Sequence, residues 1–202
     1  MNNRLLIIGL LLISSAPLWA QPTVTLLTFE SYTFDEKFNL EYGSGKVFGG
    51  FQWGGGFEIG MNDMAVELIY QRLSTHGYYD DYNGFTTQQK SGDIGINYIM
   101  LGGTRYAPLN DKISGFGTVD VGAMFTSPSD ELQTDAVTKF ALGLRLGVRI
   151  KTSEKVSLRL HTQIFSPVQG GGFYIGTGGA GVTTGSTIFQ FNLGGSLNFK
   201  LR

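Results

Sequence analysis

The sequence predicts an all-β chain, eight antiparallel strands running up and down and closing into a transmembrane barrel. Three observations carry that prediction. Phe189, Phe191, Leu193, Gly195, Leu197, Phe199 and Leu201 take every odd position near the C-terminus, while Gln190, Asn192, Gly194, Ser196, Asn198 and Lys200 take the even ones, the period of a strand with one apolar face. The same alternation recurs upstream, in segments joined by tight turns and long loops in strict succession. After the N-terminal stretch, no segment is long and apolar enough for a spanning helix.

The N-terminus reads as an export signal. Arg4 gives a basic start, residues 5–13 form an apolar run, and Ser14, Ser15, Ala16 and Pro17 break it before Ala20, the layout of a cleavable secretory signal. The run is about half of the ~20 residues that a spanning helix needs. Residues 1–20 are therefore expected to be the signal and residues 21–202 the barrel domain.

The strands follow in order. The first, about 24–34, alternates least clearly. The second sets Phe51, Trp53, Phe57 and Ile59 against Gln52, Gly54, Gly56 and Glu58, and the third sets Met64, Val66, Leu68 and Tyr70 against Glu67 and Gln71. In the fourth, Ile94, Ile96, Tyr98 and Met100 are expected to face outward against Gly95, Asn97 and Ile99; in the fifth, Val119, Val121, Ala123 and Phe125 oppose Thr118, Asp120 and Gly122. The sixth opposes Phe140, Leu142, Leu144, Leu146, Val148 and Ile150 to Ala141, Gly143, Arg145, Gly147 and Arg149. The seventh opposes Val156, Leu158, Leu160, Thr162 and Ile164 to Ser157, Arg159, His161 and Gln163, and the C-terminal segment is the eighth. Such a strand, at about 3.4 Å per residue and a tilt near 45°, crosses an apolar band roughly 25 Å tall.

The connections alternate. Asn62-Asp63 and residues 108–112 and 152–155 are short polar turns, whereas 35–50, 75–91, 127–138 and 167–185 are expected to be long loops. Short turns on the periplasmic side and long loops outside are the membrane-barrel pattern, and an even strand number closes the sheet without an edge. A soluble lipocalin-like barrel is the rival, with its apolar residues turned inward.

Composition narrows the partners. The formal net charge is −1, and loss of residues 1–20, which hold one cation, leaves −2; no nucleic acid is expected to bind. Thirty glycines, 13% aromatic residues and no cysteine exclude a disulfide-stapled domain and leave stability to a large paired sheet. Mean hydropathy near zero, +0.02, conceals the alternation.

The strand phases direct Glu58, Glu67, Asp120, Arg105, Arg145, Arg149, Arg159 and Lys200 into one lumen. An eight-stranded interior is only wide enough to be filled by side chains or to hold one small ligand. Buried charges need partners, so the network reads as a salt-bridge plug. The alternative is a gate whose pairs rearrange to admit ions, with the surplus of bases favouring anions.

Tyr32-Thr33-Phe34, Gly54-Gly55-Gly56, residues 66–72, 97–100 and 138–147, and Gly176-Thr177-Gly178-Gly179-Ala180-Gly181 resemble small eight-stranded outer-membrane barrels of the OmpA and OmpX type, and in detail the outer-membrane β-barrel proteins of Bacteroidetes. The resemblance implies the outer membrane of a Gram-negative cell, contact with its lipid, and insertion by the barrel-insertion machinery. Such barrels often end on an aromatic residue; here Phe199 and Leu201 are the expected insertion signal.

Other motifs carry less. Residues 176–181 match G-x-G-x-x-G without the strand-to-helix setting that a dinucleotide needs, so a glycine-rich loop is expected, with Phe173 and Tyr174 available for contacts. Tyr78, Tyr79 and Tyr82, beside Asp80, Asp81 and Asn83, mix stacking faces with acceptor oxygens that suit a sugar or a calcium ion; as a calcium loop the stretch lacks the spaced bidentate glutamate, so the tyrosines are expected to make loop contacts. His161 reads as a lumen residue, and His76 has Asp80 and Asp81 nearby. No catalytic residue, metal or cofactor is expected. Two functions remain: a non-enzymatic surface barrel that presents loops to surface or complex partners, or a narrow pore or accessory barrel of a secretion or assembly complex.

Overall fold

A computed structural model describes residues 22–40, 43–82, 87–132, 136–168, 173–176, 179–182 and 189–201. The expected signal, residues 1–20, lies outside them. Eight strands close the barrel: β1 (Thr23–Thr33), β4 (Gly50–Met61), β5 (Met64–Tyr82), β6 (Thr87–Pro108), β7 (Ile113–Pro128), β8 (Thr138–Lys151), β9 (Val156–Pro167) and β12 (Gln190–Lys200). They pair antiparallel in the cyclic order β4-β1-β12-β9-β8-β7-β6-β5, with β5 returning to β4. The closing seam joins the first and last strands, from Thr25↔Lys200 to Thr33↔Asn192. No sheet edge is left in the wall, as hydrocarbon requires.

The short turns are built from local hydrogen bonds. Asn62, at φ 54°, makes the tight β4–β5 hairpin, a left-handed position that asparagine tolerates. The Asn110 side chain accepts from the backbone N–H of Lys112 and Ile113 at 2.9 and 2.8 Å. Ser153 Oγ accepts from Lys155 and Val156 N–H at 3.3 and 3.1 Å.

Alternation sorts the side chains. Trp53, Phe57, Leu68, Leu144 and Leu193 are 44–54% exposed on the outer wall, whereas Glu67, Asp120, Arg145 and Arg159 are fully buried within. An apolar exterior around a charged interior is the inverse of a soluble barrel, and it settles the fold as transmembrane. β1 carries Thr25, Leu27, Phe29, Ser31 and Thr33 inward; that polar and apolar mixture is why its alternation is faint in the sequence.

Two expectations are corrected. In β6 the inward set is Ile96, Tyr98 and Met100, all buried, while Ile99 and Leu101 face out. Both faces of this strand are apolar, so periodicity cannot choose between them. Pairing does, because the row Leu68↔Leu101↔Val121 lies on the lipid side. Arg105 shares the parity of Leu101 and is exposed on the outer wall, not in the lumen.

The long connections are also more regular than expected. β5 and β6 continue as one hairpin from Thr75↔Ile94 to Tyr82↔Thr87. Within 35–50, β2 (Glu36–Leu40) and β3 (Gly43–Val47) form a hairpin that pairs onto β5 at Gly45↔Tyr79 through Val47↔Gly77. A 3-10 turn, Asp130–Leu132, and a small hairpin of β10 (Phe173–Gly176) and β11 (Gly179–Val182) occupy the other two. Only β2 carries an apolar alternation, Phe38 and Leu40 against Lys37 and Asn39, and it is too brief to separate from a loop.

Candidate functional site: the filled lumen

Strands far apart in sequence supply the charges at the centre. Arg145 of β8 donates to Glu67 of β5 at 3.1 Å and to both oxygens of Asp120 of β7 at 3.2 Å. Arg159 of β9 donates to Glu67 at 2.9 Å and also to Glu58 of β4 and to the Tyr106 hydroxyl. Tyr106 donates to Glu58 at 2.5 Å. Thr104 donates to Glu67 at 2.6 Å and lies 2.7 Å from Thr118 Oγ1. Three carboxylates thus share two guanidiniums, and Arg149 brings a third, its guanidinium 3.9 Å over the Tyr106 ring. Charges removed from water persist only when paired in this way.

Close approach makes room for the cluster. Gly102, Asp120 and Gly143 occupy one row across β6, β7 and β8. A Cβ on Gly102 would stand 2.3 Å from Asp120 Oδ1, and one on Gly143 would stand 2.9 Å from Asp120 Cβ. Only glycine on both sides lets that carboxylate lie flat against the wall and meet Arg145.

Toward the long-hairpin end the filling turns apolar. Leu27, Phe29, Ile69, Leu73, Met100 and Phe165 are 0–2% exposed and belong to one cluster with Tyr98 and Met124. The Tyr98 and Phe165 rings stack at 4.4 Å, and Tyr98 donates to Gln190 at 2.9 Å. Gln71 and Gln163 exchange hydrogen bonds at 3.3 and 2.8 Å within this layer. The lumen is therefore two-layered, charged toward the short turns and apolar above.

The lumen residues singled out by sequence divide accordingly. Glu58, Glu67, Asp120, Arg145 and Arg159 meet; Arg149 stacks beside them; Lys200 is exposed at the short-turn mouth; Arg105 is outside. Tyr106 and Thr104 are site residues that sequence reasoning missed. The wrong phase for β6 concealed both. Phe199 faces outward, 38% exposed, and Leu201 is 61% exposed just past β12.

The two histidines lie apart, His161 in the lumen and His76 on the extended β5–β6 hairpin. His161 is buried edge-on to Phe29 at 6.0 Å, with neither ring nitrogen hydrogen-bonded. His76 contacts Asp93 at 3.1 Å, while Asp80 accepts from Gln89 at 3.1 Å; the Asp81 side chain lies outside the described ones. No group of three metal-ligating side chains occurs among the described residues.

At the long-hairpin end, Tyr78 is half-buried against Phe48, with ring centroids 6.0 Å apart. Tyr79 and Tyr82 belong to β5, and Phe173 and Tyr174 to β10; their side chains lie outside the described ones. Thr177 and Gly178 of the glycine motif lie outside the described residues. The Lys46 ammonium, 2.5 Å from Asp35, holds that carboxyl below its usual range, helped by the Gly49 N–H. Glu36 is half-buried at the start of β2, and burial raises its carboxyl to about 7.

No protein-family model and no curated protein matches the chain. Solved structures do. The barrel is similar to Neisserial surface protein A, at 14% identity over 89% of this chain and 97% of that one, with a TM-score of 0.56. It is also similar to the outer membrane protein OprG of Pseudomonas aeruginosa, at 13% identity over 89% and 97% of the two chains, with a TM-score of 0.54. At these identities the likeness shows the fold: a closed eight-stranded antiparallel transmembrane barrel.

Proposed function

We propose that the protein is a non-enzymatic barrel of the Gram-negative outer membrane, closed by its own side chains, that presents long hairpins to partners at the cell surface. The observation that carries this reading is the filled cross-section, in which Arg145 and Arg159 join Glu58, Glu67 and Asp120 beneath a packed apolar layer. A lumen so filled leaves the hairpins as the variable surface. The neighbours, a surface protein and an outer membrane protein by description, support the location. The reading takes residues 1–20 as the export signal, Phe199 and Leu201 as the contact for the insertion machinery, and Tyr78, Tyr79, Tyr82, Phe173 and Tyr174 as the surface offered to proteins or sugars. Kinship with the Bacteroidetes barrels rests on the sequence stretches alone.

One observation favours a narrow pore instead. Thr33 Oγ1, Gln52 Nε2 and both amide atoms of Asn192 are buried without hydrogen-bond partners on adjoining strands β4, β1 and β12. They form a polar seam beside the apolar layer.

The chain has no cysteine, so single cysteines report location and orientation directly. Gln89→Cys, on the β5–β6 hairpin, should react with a membrane-impermeant maleimide on intact cells. Asn110→Cys, in a short turn, should react only after the outer membrane is opened. Labelling of Asn110→Cys alone on intact cells would reverse the orientation, and labelling of neither would remove the surface role.

A further inference from the structure

We propose that the short-turn mouth of the lumen is a binding site for a phosphate-bearing ligand. A cavity of about 580 Å³ opens there, with Arg149, Lys151, Lys155, Arg159 and Lys200 among its lining against only Glu58 and Glu154. Arg159 and Glu58 are already committed to each other in the buried network. What faces the opening is three lysines and Arg149 against Glu154. None of these four cations forms an ion pair among the described residues. Like charges gathered without counter-ions repel one another, so their convergence raises local anion concentration.

The site is built as well as charged. The Arg149 guanidinium is held over Tyr106 at 3.9 Å, and its Nε is buried without an acceptor, a guanidinium donor that is costly to leave unmade. Ser153 Oγ accepts two backbone N–H groups, which leaves its own proton to donate into the cavity that it lines. The cations come from β8, the β8–β9 turn and β12, across the mouth from Thr23 and Asn62. A phosphate, with up to two charges and several acceptor oxygens, satisfies converging donors that a single halide cannot. The volume exceeds what one phosphate fills, so a phosphorylated small molecule or the headgroup of a phospholipid bordering the mouth fits equally.

The test uses the full barrel and separates those two sources. In detergent, glycerol 3-phosphate is titrated by calorimetry into wild type, into Lys155→Gln/Lys200→Gln and into Lys112→Gln, whose lysine lies in the neighbouring turn. In nanodiscs, retention of phosphatidylglycerol against phosphatidylcholine is read by native mass spectrometry for the same three proteins. Both mutated lysines of the pair are exposed, and unchanged heat-dependent gel mobility shows that folding is intact. The expected result is binding at least about tenfold weaker in the double variant, unchanged in Lys112→Gln, and weakened by added salt. Variant-sensitive binding in detergent identifies a free phosphorylated ligand; sensitivity confined to phosphatidylglycerol retention identifies the lipid headgroup. Equal binding by all three proteins in both arms, or no binding in either, overturns the site.

Discussion

Arg145 and Glu67 meet at 3.1 Å in the centre of the lumen, although 78 residues separate them and their strands are not neighbours in the wall. The contact ties one side of the barrel to the other. Both side chains are fully buried, so removing one partner leaves a charge with no access to water.

Arg145→Met should therefore cost about 3–5 kcal/mol, the usual consequence of stranding a buried charge. Asp120 loses both of its hydrogen bonds from the guanidinium, so Asp120→Asn/Arg145→Met should cost less than the sum of the single changes. Urea unfolding in lipid vesicles, followed by the fluorescence of lipid-facing Trp53, measures both.

Gly102→Ala should destabilise by about 1–3 kcal/mol, as overpacking does, because the new methyl meets Asp120 at 2.3 Å. Its neighbour is the control. A Cβ on Gly103 has nothing within 4 Å, so Gly103→Ala should leave the unfolding midpoint nearly unchanged.

The face assignments make opposite forecasts for two positions. Leu144→Arg puts a charge on the lipid side of β8 and should cost roughly 2–4 kcal/mol if it lies near the bilayer midplane. Arg105→Leu removes a cation from the outer wall near the short-turn end and should fold normally, measured as the heat-modifiable fraction after refolding. Loss of folding in Arg105→Leu would return that residue to the interior.

Glu36 sets a pH dependence of definite sign. Its carboxyl is raised from 4.5 to about 7 by burial, so the folded state favours the protonated form. The groups around it are the Phe189 N–H and the Tyr98 hydroxyl. Its contribution is fully present below about 4.5 and is lost as pH rises through about 7. Asp35 acts oppositely, stabilising at neutral pH and losing that effect on acidification. Thermal melts of wild type and Glu36→Gln should coincide in relative terms at pH 4 and separate in favour of the variant by pH 8.

Most of the barrel is legible in the sequence because lipid enforces a strict rule on one face. In β8 from Phe140 to Ile150, and throughout β12, every outward position is apolar or glycine, so the phase and the inward direction of Arg145 follow at once. β6 breaks that legibility, since Tyr98 and Met100 serve the packed interior as well as Ile99 and Leu101 serve the lipid. Tyr106, which closes the charge network, was hidden by the same ambiguity. The hairpin of β2 and β3 is hard to read because its alternation, Phe38 and Leu40 against Lys37 and Asn39, spans too few residues to stand apart from a loop. That Arg159 would reach both Glu58 and Glu67 follows from barrel closure, which brings β9 opposite β4 and β5.

The measurement that tests the closed lumen most directly is single-channel conductance of the refolded mature barrel in a planar bilayer. Heat-dependent gel mobility of the same sample shows that folded protein is present. The expected result is a heat-modifiable barrel that stays electrically silent, because the Arg145–Glu67 layer and the apolar layer above it leave no open path. Discrete conductance steps from the folded barrel would contradict it and make the charge network a gate.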